Sequence, residues 1–283
     1  MSGVSALATS GATIHLVIDG AVVSWDRVSE AMVVAPGLSG VRAIAAVSWE
    51  KYALLDDQTV WGWNSGTPYQ VEGLSQVEAI AVGAETGYAL RTDGTVWTWG
   101  AGAGPAVPVA GLADIVGLTA GGQFVTLAAV YAWDSDGRVW GWGANGSGQL
   151  CQGDQSPRLE PTVVPVDAVQ TVATNGSTTY FGTADGVVMC GSTASGRLAA
   201  GAADRLSPTP VLGLPPVTAL AVGDQAAYAL TGDGTVWSWG FNGTGQLGDG
   251  TTDSRTTPAA LTEPTGVTAI SADLQAYAIQ GLS

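Results

Sequence analysis

The sequence predicts an all-β fold, a seven-bladed β-propeller of tandem repeats in which residues 1–283 form a single domain. Three observations predict it. A unit recurs along the chain, with 36 to 49 residues between equivalent positions. Asp-Gly pairs stand between short apolar runs. Glycine is abundant, at 41 residues, alongside 11 tryptophans. A unit of this length cannot bury two sheet faces alone; arranged radially, each sheet packs its side chains on its neighbours.

The clearest copy runs Val77-Glu-Ala-Ile-Ala-Val-Gly83, then Tyr88-Ala-Leu90, then Asp93-Gly-Thr-Val-Trp-Thr-Trp-Gly100. Val217 to Gly223, Tyr228 to Leu230 and Asp233 to Gly240 nearly duplicate it. Each part has a structural reading. The Val-x-Ala-Ile-Ala run suits an inner strand buried on both faces. Tyr-Ala-Leu is the second strand. Asp-Gly is the hairpin turn, because glycine accepts the positive φ that a tight turn demands. Val-Trp-x-Trp alternates with period two and makes the third strand. A Gly-rich loop and an outer strand beside a proline follow, which a sheet edge tolerates.

Further copies start at Val41, with Tyr52-Ala-Leu54 and Val60-Trp-Gly-Trp63, and at Tyr131-Ala-Trp133, with Asp136 to Gly143. Weaker ones run from Val4 to Trp25, with His15 in the tyrosine position, and from Val169 to Gly191, with Met189 and Cys190 in tryptophan positions. The last, Val267 to Ile279, holds only two strands. Seven starts thus accompany six complete units, and the last blade is either incomplete or completed by the chain ends.

The segment Trp239-Gly-Phe-Asn-Gly-Thr-Gly-Gln-Leu-Gly-Asp-Gly250 resembles the signature of the regulator of chromosome condensation repeat family. Trp142 to Leu150 repeats it, with Cys151 in place of the expected glycine, and Gly191 to Leu198 is a decayed version. The resemblance covers nearly the whole chain and implies a seven-bladed propeller. The first three units are shorter, with 36 to 38 residues between equivalent tryptophans, and lack the Gly-Gln-Leu-Gly loop. With starts such as Ser39-Gly-Val-Arg-Ala-Ile44, they resemble the compact bacterial members that inhibit β-lactamases. That resemblance implies that one mouth of the propeller grips a partner protein. Guanine-nucleotide exchange, the activity of the family's eukaryotic namesake, has no counterpart feature in this short-repeat, acidic chain.

Formal net charge is −15, with Lys51 the single lysine. Such a surface repels phosphate backbones and argues against nucleic acid and anionic membranes, while leaving room for a basic partner. Hydrophobic residues make up 46% and charged residues 12%, enough apolar material for a large core. The apolar stretch Phe124 to Trp133 is about half a membrane span. Met1-Ser2-Gly3-Val4 carries no basic run. These features predict a soluble protein, either cytoplasmic or secreted by way of a leader outside this chain. Two cysteines, Cys151 and Cys190, make no disulfide framework; one bridge and two free thiols both stay open.

Function is expected where the repeat does not explain the residues, in the loops between first and second strands around one mouth of the channel. The fourth loop is the outlier: Gly121 to Asp136 is 15 residues where Gly83 to Asp93 is 10. Its extra residues form an apolar segment containing Gln123, Phe124, Val125 and Leu127, which reads either as a contact surface or as a plug. Trp49 lies outside the tryptophan positions of the repeat, beside Glu50 and Lys51, and is a candidate anchor or a blade-packing residue. Glu50, Glu85, Asp224 and Asp273, with Gln225, would line an acidic mouth. Trp133 replaces a leucine of the second strand and reads as core.

Catalytic and metal sites are not predicted. His15, the one histidine, occupies a structural tyrosine position, so a Ser-His-Asp triad has no other imidazole to use. No His/Cys cluster has metal-ligand spacing, and Gly248 to Asp253 lacks the calcium-loop pattern. No cofactor is expected. The leading expectation is a protein-binding scaffold, an inhibitor or regulator of a partner protein. The alternative is an enzyme or small-molecule binder acting in the acidic funnel on a cationic substrate, as in a biosynthetic pathway. A lectin is third, since the loops differ from unit to unit.

Overall fold

The structure, a computed structural model, describes residues 4–11, 13–26, 28–35, 37–47, 50–64, 67–100, 104–122, 127–194 and 203–272, and the backbone of 276–280. The chain divides into two compact units, Met1–Ser135 and Asp136–Ser283.

The first unit holds three complete antiparallel sheets and the start of a fourth. Strands β1 (Val4–Ser10), β2 (Thr13–Ile18), β3 (Ala21–Asp26) and β4 (Met32–Val34) form the first. β5 (Val41–Val47), β6 (Glu50–Leu55), β7 (Val60–Trp63) and β8 (Tyr69–Gln70) form the second. β9 (Val77–Gly83), β10 (Thr86–Arg91), β11 (Val96–Trp99) and β12 (Val107–Pro108) form the third. β13 (Ile115–Gly121) and β14 (Ala129–Asp134) open the fourth.

In the second unit, β15 (Val139–Gly143) and β16 (Arg158–Val163) complete that sheet. β17 (Val169–Thr174), β18 (Thr178–Thr183), β19 (Gly186–Gly191) and β20 (Arg205–Val211) form the fifth. β21 (Val217–Val222), β22 (Ala226–Thr231), β23 (Val236–Gly240) and β24 (Arg255–Ala260) form the sixth. The last repeat start yields only β25 (Val267–Ala272) and β26 (Ala276–Gln280), a two-stranded sheet.

The seven-bladed expectation is therefore corrected to six blades of four strands. Counting starts overcounts blades, because a start supplies two strands and a blade needs four.

The turn chemistry recurs as the repeat demands. Asp93 Oδ1 accepts from the Thr95 amide at 3.1 Å and the Thr95 hydroxyl at 2.6 Å, and Asp57 and Asp233 hold Thr59 and Thr235 amides likewise. Hydroxyl and amide donors, led by the Thr59 hydroxyl at Asp57, the Thr95 hydroxyl at Asp93 and the Thr231 hydroxyl at Asp233, hold the three exposed carboxyls below the usual carboxylate range. A turn carbonyl then accepts from the first amide of the next sheet: Ile115 to Gly94 at 3.1 Å, Val169 to Gly137 at 3.1 Å, Val267 to Gly234 at 3.2 Å. A Cβ at Gly137 would lie 2.6 Å from Ala168 Cα, so this close approach requires glycine as well as the positive φ does.

A register shift recurs at the second residue of the inner strand, in Val41/Ala43, Ile115/Gly117, Val169/Thr171 and Val217/Ala219. Such a bulge turns one side chain outward and increases local twist. Next to it, volumes compensate across strands. Trp133, half-buried in place of the usual leucine, faces Gly117, whose Cβ would fall 2.0 Å from the indole. Gly182 in the same repeat position faces Thr171, whose methyl would lie 2.6 Å from a Cβ there. Close packing at constant volume explains both pairs.

Candidate functional site

The nominated residues fall in both units. In the first, Trp49, Gln123, Phe124 and Val125 lie outside the described residues, as does Asp273 in the second. Glu50 begins β6 and is buried, with Tyr69 Oη donating to its Oε2 at 3.4 Å. Lys51, next along the strand, points to the opposite face and donates to the Asn64 carbonyl at 3.1 Å. Burial lowers its pKa, partly offset by the Glu50 carboxylate.

Lys51 pairs across strands with Trp63, which shares one apolar cluster with Val17 and Val22 of the first sheet and Ala53 of its own. His15, on the same face of β2 as Val17, sits fully buried there. Its Nε2 lies 2.9 Å from Ser10 Oγ and its Nδ1 2.8 Å from Ser24 Oγ, so either tautomer finds both a donor and an acceptor. Burial, and next the Lys51 charge, push its pKa down to about 4. A base that weak, sealed from solvent, contributes little to proton transfer at neutral pH.

The third and fourth loops of this unit meet. The Ala84 amide donates to the Gly122 carbonyl at 2.7 Å. Ala84 and Glu85 form a two-residue turn with φ of 47° and 64°, which exposes the Glu85 side chain. Leu127 is 38% exposed, while its neighbour Ala128 is buried against Gly83. Glu85 and Leu127 thus belong to adjoining loops, one acidic and one apolar.

In the second unit, side-chain amides tie the loops together. Gln149 Nε2 donates to the Gly176 carbonyl at 2.6 Å, and Asn175 Nδ2 to the Gly223 carbonyl at 2.9 Å. Asp224 and Gln225 follow, both exposed; the Gln225 carbonyl accepts from the Phe241 amide at 2.9 Å. Phe241, 36% exposed, sits beside this loop and was not nominated from the sequence. The available signal was its place in the repeat, where Ala144 stands in the fourth unit.

The Asn-Gly-x-Gly-Gln-Leu loops owe their residues to structure. Asn145 Oδ1 accepts from the Leu150 amide at 2.9 Å, and Asn242 Oδ1 from the Leu247 amide at 2.8 Å. Asn242 Nδ2 donates to Asp249, Thr251 and Asp253 oxygens, and Arg255 pairs with Asp249. Asp154 and Arg158 repeat that pair at 2.8 Å. Of the carboxylates that superficially suggest calcium, that of Asp249 is thus engaged as a loop strut, and Asp253 contributes its main-chain carbonyl. Among the described residues, no group of three or more His, Cys, Asp or Glu gathers to hold a metal ion.

Cys151 and Cys190 form a disulfide. Cys151 replaces a loop glycine of the fourth unit, and Cys190 a tryptophan of the fifth, so two departures from the repeat are one covalent bond. Both cysteines are buried.

Models of the regulator of chromosome condensation (RCC1) repeat match residues 136–179 and 233–273, and a second such model matches 217–246. Among curated proteins no sequence match is found. Among solved structures, Prp20p from Saccharomyces cerevisiae superposes with a TM-score of 0.80 at 18% identity, over 98% of this chain and 82% of that one. Human WBSCR16 superposes with a TM-score of 0.81 at 16% identity, over 99% and 87%. The computationally designed Ika8 protein matches with a TM-score of 0.54 at 21% identity, over 95% and 77%. Segments 136–179 and 217–273 therefore match the regulator of chromosome condensation repeat, and the chain shares an all-β propeller fold with these structures.

Proposed function

We propose that the chain is a protein-binding propeller scaffold, an inhibitor or regulator of a partner protein, gripping through its first-to-second-strand loops. The observation that carries the reading is a constant scaffold with loops that differ from unit to unit. Exposed Glu85 on the third loop and exposed Leu127 on the fourth are the clearest case. Solved proteins of the same fold support it. Prp20p is described with binding properties to Gsp1p and histones, and yeast RCC1 (Prp20) in a structure bound to Kap60. The formal charge of −15 favours a partner with a basic patch.

The test is a Glu85→Lys, Leu127→Ser double variant, with Trp49→Ala as a separate one. Affinity capture from the native source, followed by calorimetry with the purified partner, is expected to show at least about tenfold weaker binding at unchanged melting temperature. Undiminished binding in both variants overturns the loop surface.

We further propose residence in an oxidising compartment, supported by the Cys151–Cys190 bond, since cytosolic thiols are kept reduced. Closing a loop with a sequence separation of 39 stabilises the fold by about 4 kcal/mol in the chain-entropy model. Thiol titration of unreduced protein from its native source should find no free thiol; two thiols per chain would place it in a reducing compartment instead.

A further inference from the structure

The outer strands of the six blades differ in one respect that bears on recognition. An outer strand turns alternate main-chain groups toward its sheet and the others toward the free edge. The hydrogen bonds fix which residues do which. In β8 the Val71 amide bonds the Val60 carbonyl, so Gln70 and Pro68 face outward. In β12 the Val109 amide bonds Val96, so Pro108 and Ala106 face outward, and the Ala106 amide is taken by the Glu72 carbonyl at 3.0 Å. In β16 the Val164 amide bonds Val139, placing Pro161 on the free edge. In β24 the Leu261 amide bonds Val236, placing Pro258 there. β20 carries Pro208 and Pro210 in the corresponding phase, with Pro210 opposite Val188.

Each of these five edges thus has at least one proline where a neighbouring strand would need an N–H. Proline offers none, which stops an edge from pairing with another chain.

Over its described residues, Ala31 to Ala35, β4 has no such block; the nearest proline, Pro36, follows the strand and lies outside the described residues. The Asp26 amide bonds the Ala31 carbonyl and the Ala35 amide bonds Val22, both at 2.9 Å. Ala31, Val33 and Ala35 therefore face inward, and Met32 and Val34 present both N–H and C=O to the free edge. No described residue bonds these four groups. The strand is wholly apolar, with Met32 54%, Val33 59% and Val34 59% exposed. Trp25, opposite Met32, is 37% exposed, whereas Trp63, Trp99, Trp142 and Trp239 in the same repeat position are buried. Among the described residues, the outer strand of the first blade presents an apolar edge without proline, whereas the other five carry one.

We propose that β4 is a docking edge that takes an extended strand from a partner protein, with apolar residues at alternate positions and basic residues at its flanks. Main-chain bonds to Met32 and Val34 supply the pairing, and the exposed side chains supply the apolar contact. The basic flanks follow from charge: exposed Glu30 stands at the start of the strand, on a chain whose net charge is −15. A second copy is disfavoured by the same charge. It is disfavoured also by area, because a three-residue edge buries far less than the roughly 1,200 Å² of a stable interface. This edge is separate from the loops of the proposed function, and either can fail alone.

The probe is a capped peptide, Lys-Val-Thr-Val-Thr-Val-Lys, titrated into the whole chain while amide hydrogen exchange is followed by NMR. Exchange at Met32 and Val34 is expected to slow at least about tenfold, with no change on the proline-bearing outer strands. Val34→Pro, which installs the residue used on the other edges, should abolish this, and Met32→Pro does the same should Val34→Pro fail to fold. A Glu-flanked peptide should bind more weakly. Absence of protection at these amides, or protection that survives both folded proline variants, overturns the edge. Equal binding of the two peptides overturns the basic partner. A concentration-dependent dimer that Val34→Pro dissolves assigns the edge to a second copy and overturns the partner assignment.

Discussion

The junction between the fifth and sixth sheets and that between the first and second occupy the same repeat positions with opposite chemistry. At the former, Tyr180 and Trp239 meet edge to face with centroids 5.5 Å apart, and the indole N–H donates to the phenol oxygen at 3.3 Å. Ala227 lies opposite Trp239 across the strands. At the latter the three positions hold His15, Trp63 and Lys51. A smaller ring on one sheet is matched by a longer side chain on the next. The difference teaches that the repeat specifies a filled layer rather than particular residues, and that polar groups enter it when each finds a partner. Lys51, nominated for an exposed loop, lies instead along this layer with its ammonium on the Asn64 carbonyl.

The largest expected effect breaks the aromatic junction. Trp239 is fully buried, and Trp239→Ala should cost about 4 kcal/mol in urea unfolding. Trp63→Ala should cost less, because the Lys51 stem can move into the space. Equal losses would contradict the layer-filling account.

Acid should separate the junctions next. His15 takes up its proton near pH 6.5 when unfolded and only at about 4 when folded. Between these values the unfolded chain holds more protons, so stability falls as pH drops through the window, by at most about 3 kcal/mol. Carboxylates titrate in the same range, so the readout is wild type minus His15→Gln, each unfolded in urea at pH 7 and pH 4.5. A difference that does not change with pH would show that burial does not hold the ring neutral.

The smallest effect sharpens the comparison. His15→Tyr overpacks the first junction and Lys51→Ala underpacks it. Their combination recreates the Tyr180–Ala227 arrangement. The double variant should be more stable than the sum of the single losses by about 1 kcal/mol, measured by a double-mutant cycle. Strict additivity would mean that the two positions do not share a volume.

Much of the fold was legible because its cues are local. Val-x-Ala-Ile-Ala, the Asp-Gly turn and Val-Trp-x-Trp each fold according to their own neighbours, and strands β9 to β11 fall where those motifs stand. The blade number was misread because a count of starts carries no information on whether four strands follow. The candidate site was less legible. Glu50 reads as a mouth carboxylate, yet it is buried against Tyr69, 19 positions away. Phe241 reads as part of a glycine-rich loop, yet its amide is held by Gln225.

The sequence by itself determined the repeat, the strand and turn chemistry and the net charge of −15. Tertiary structure alone decided that Cys151 and Cys190 bond, that His15 and Lys51 share one layer, and that six sheets are complete. It also decided which outer strands carry a proline on the free edge. Proline abundance near the outer strands is visible in the sequence, but whether a proline faces the sheet or the free edge depends on register. Register is set by pairing with a strand elsewhere in the chain. The physical reason is common to all of these: conformation is dictated by adjacent residues, whereas burial and pairing are dictated by distant ones.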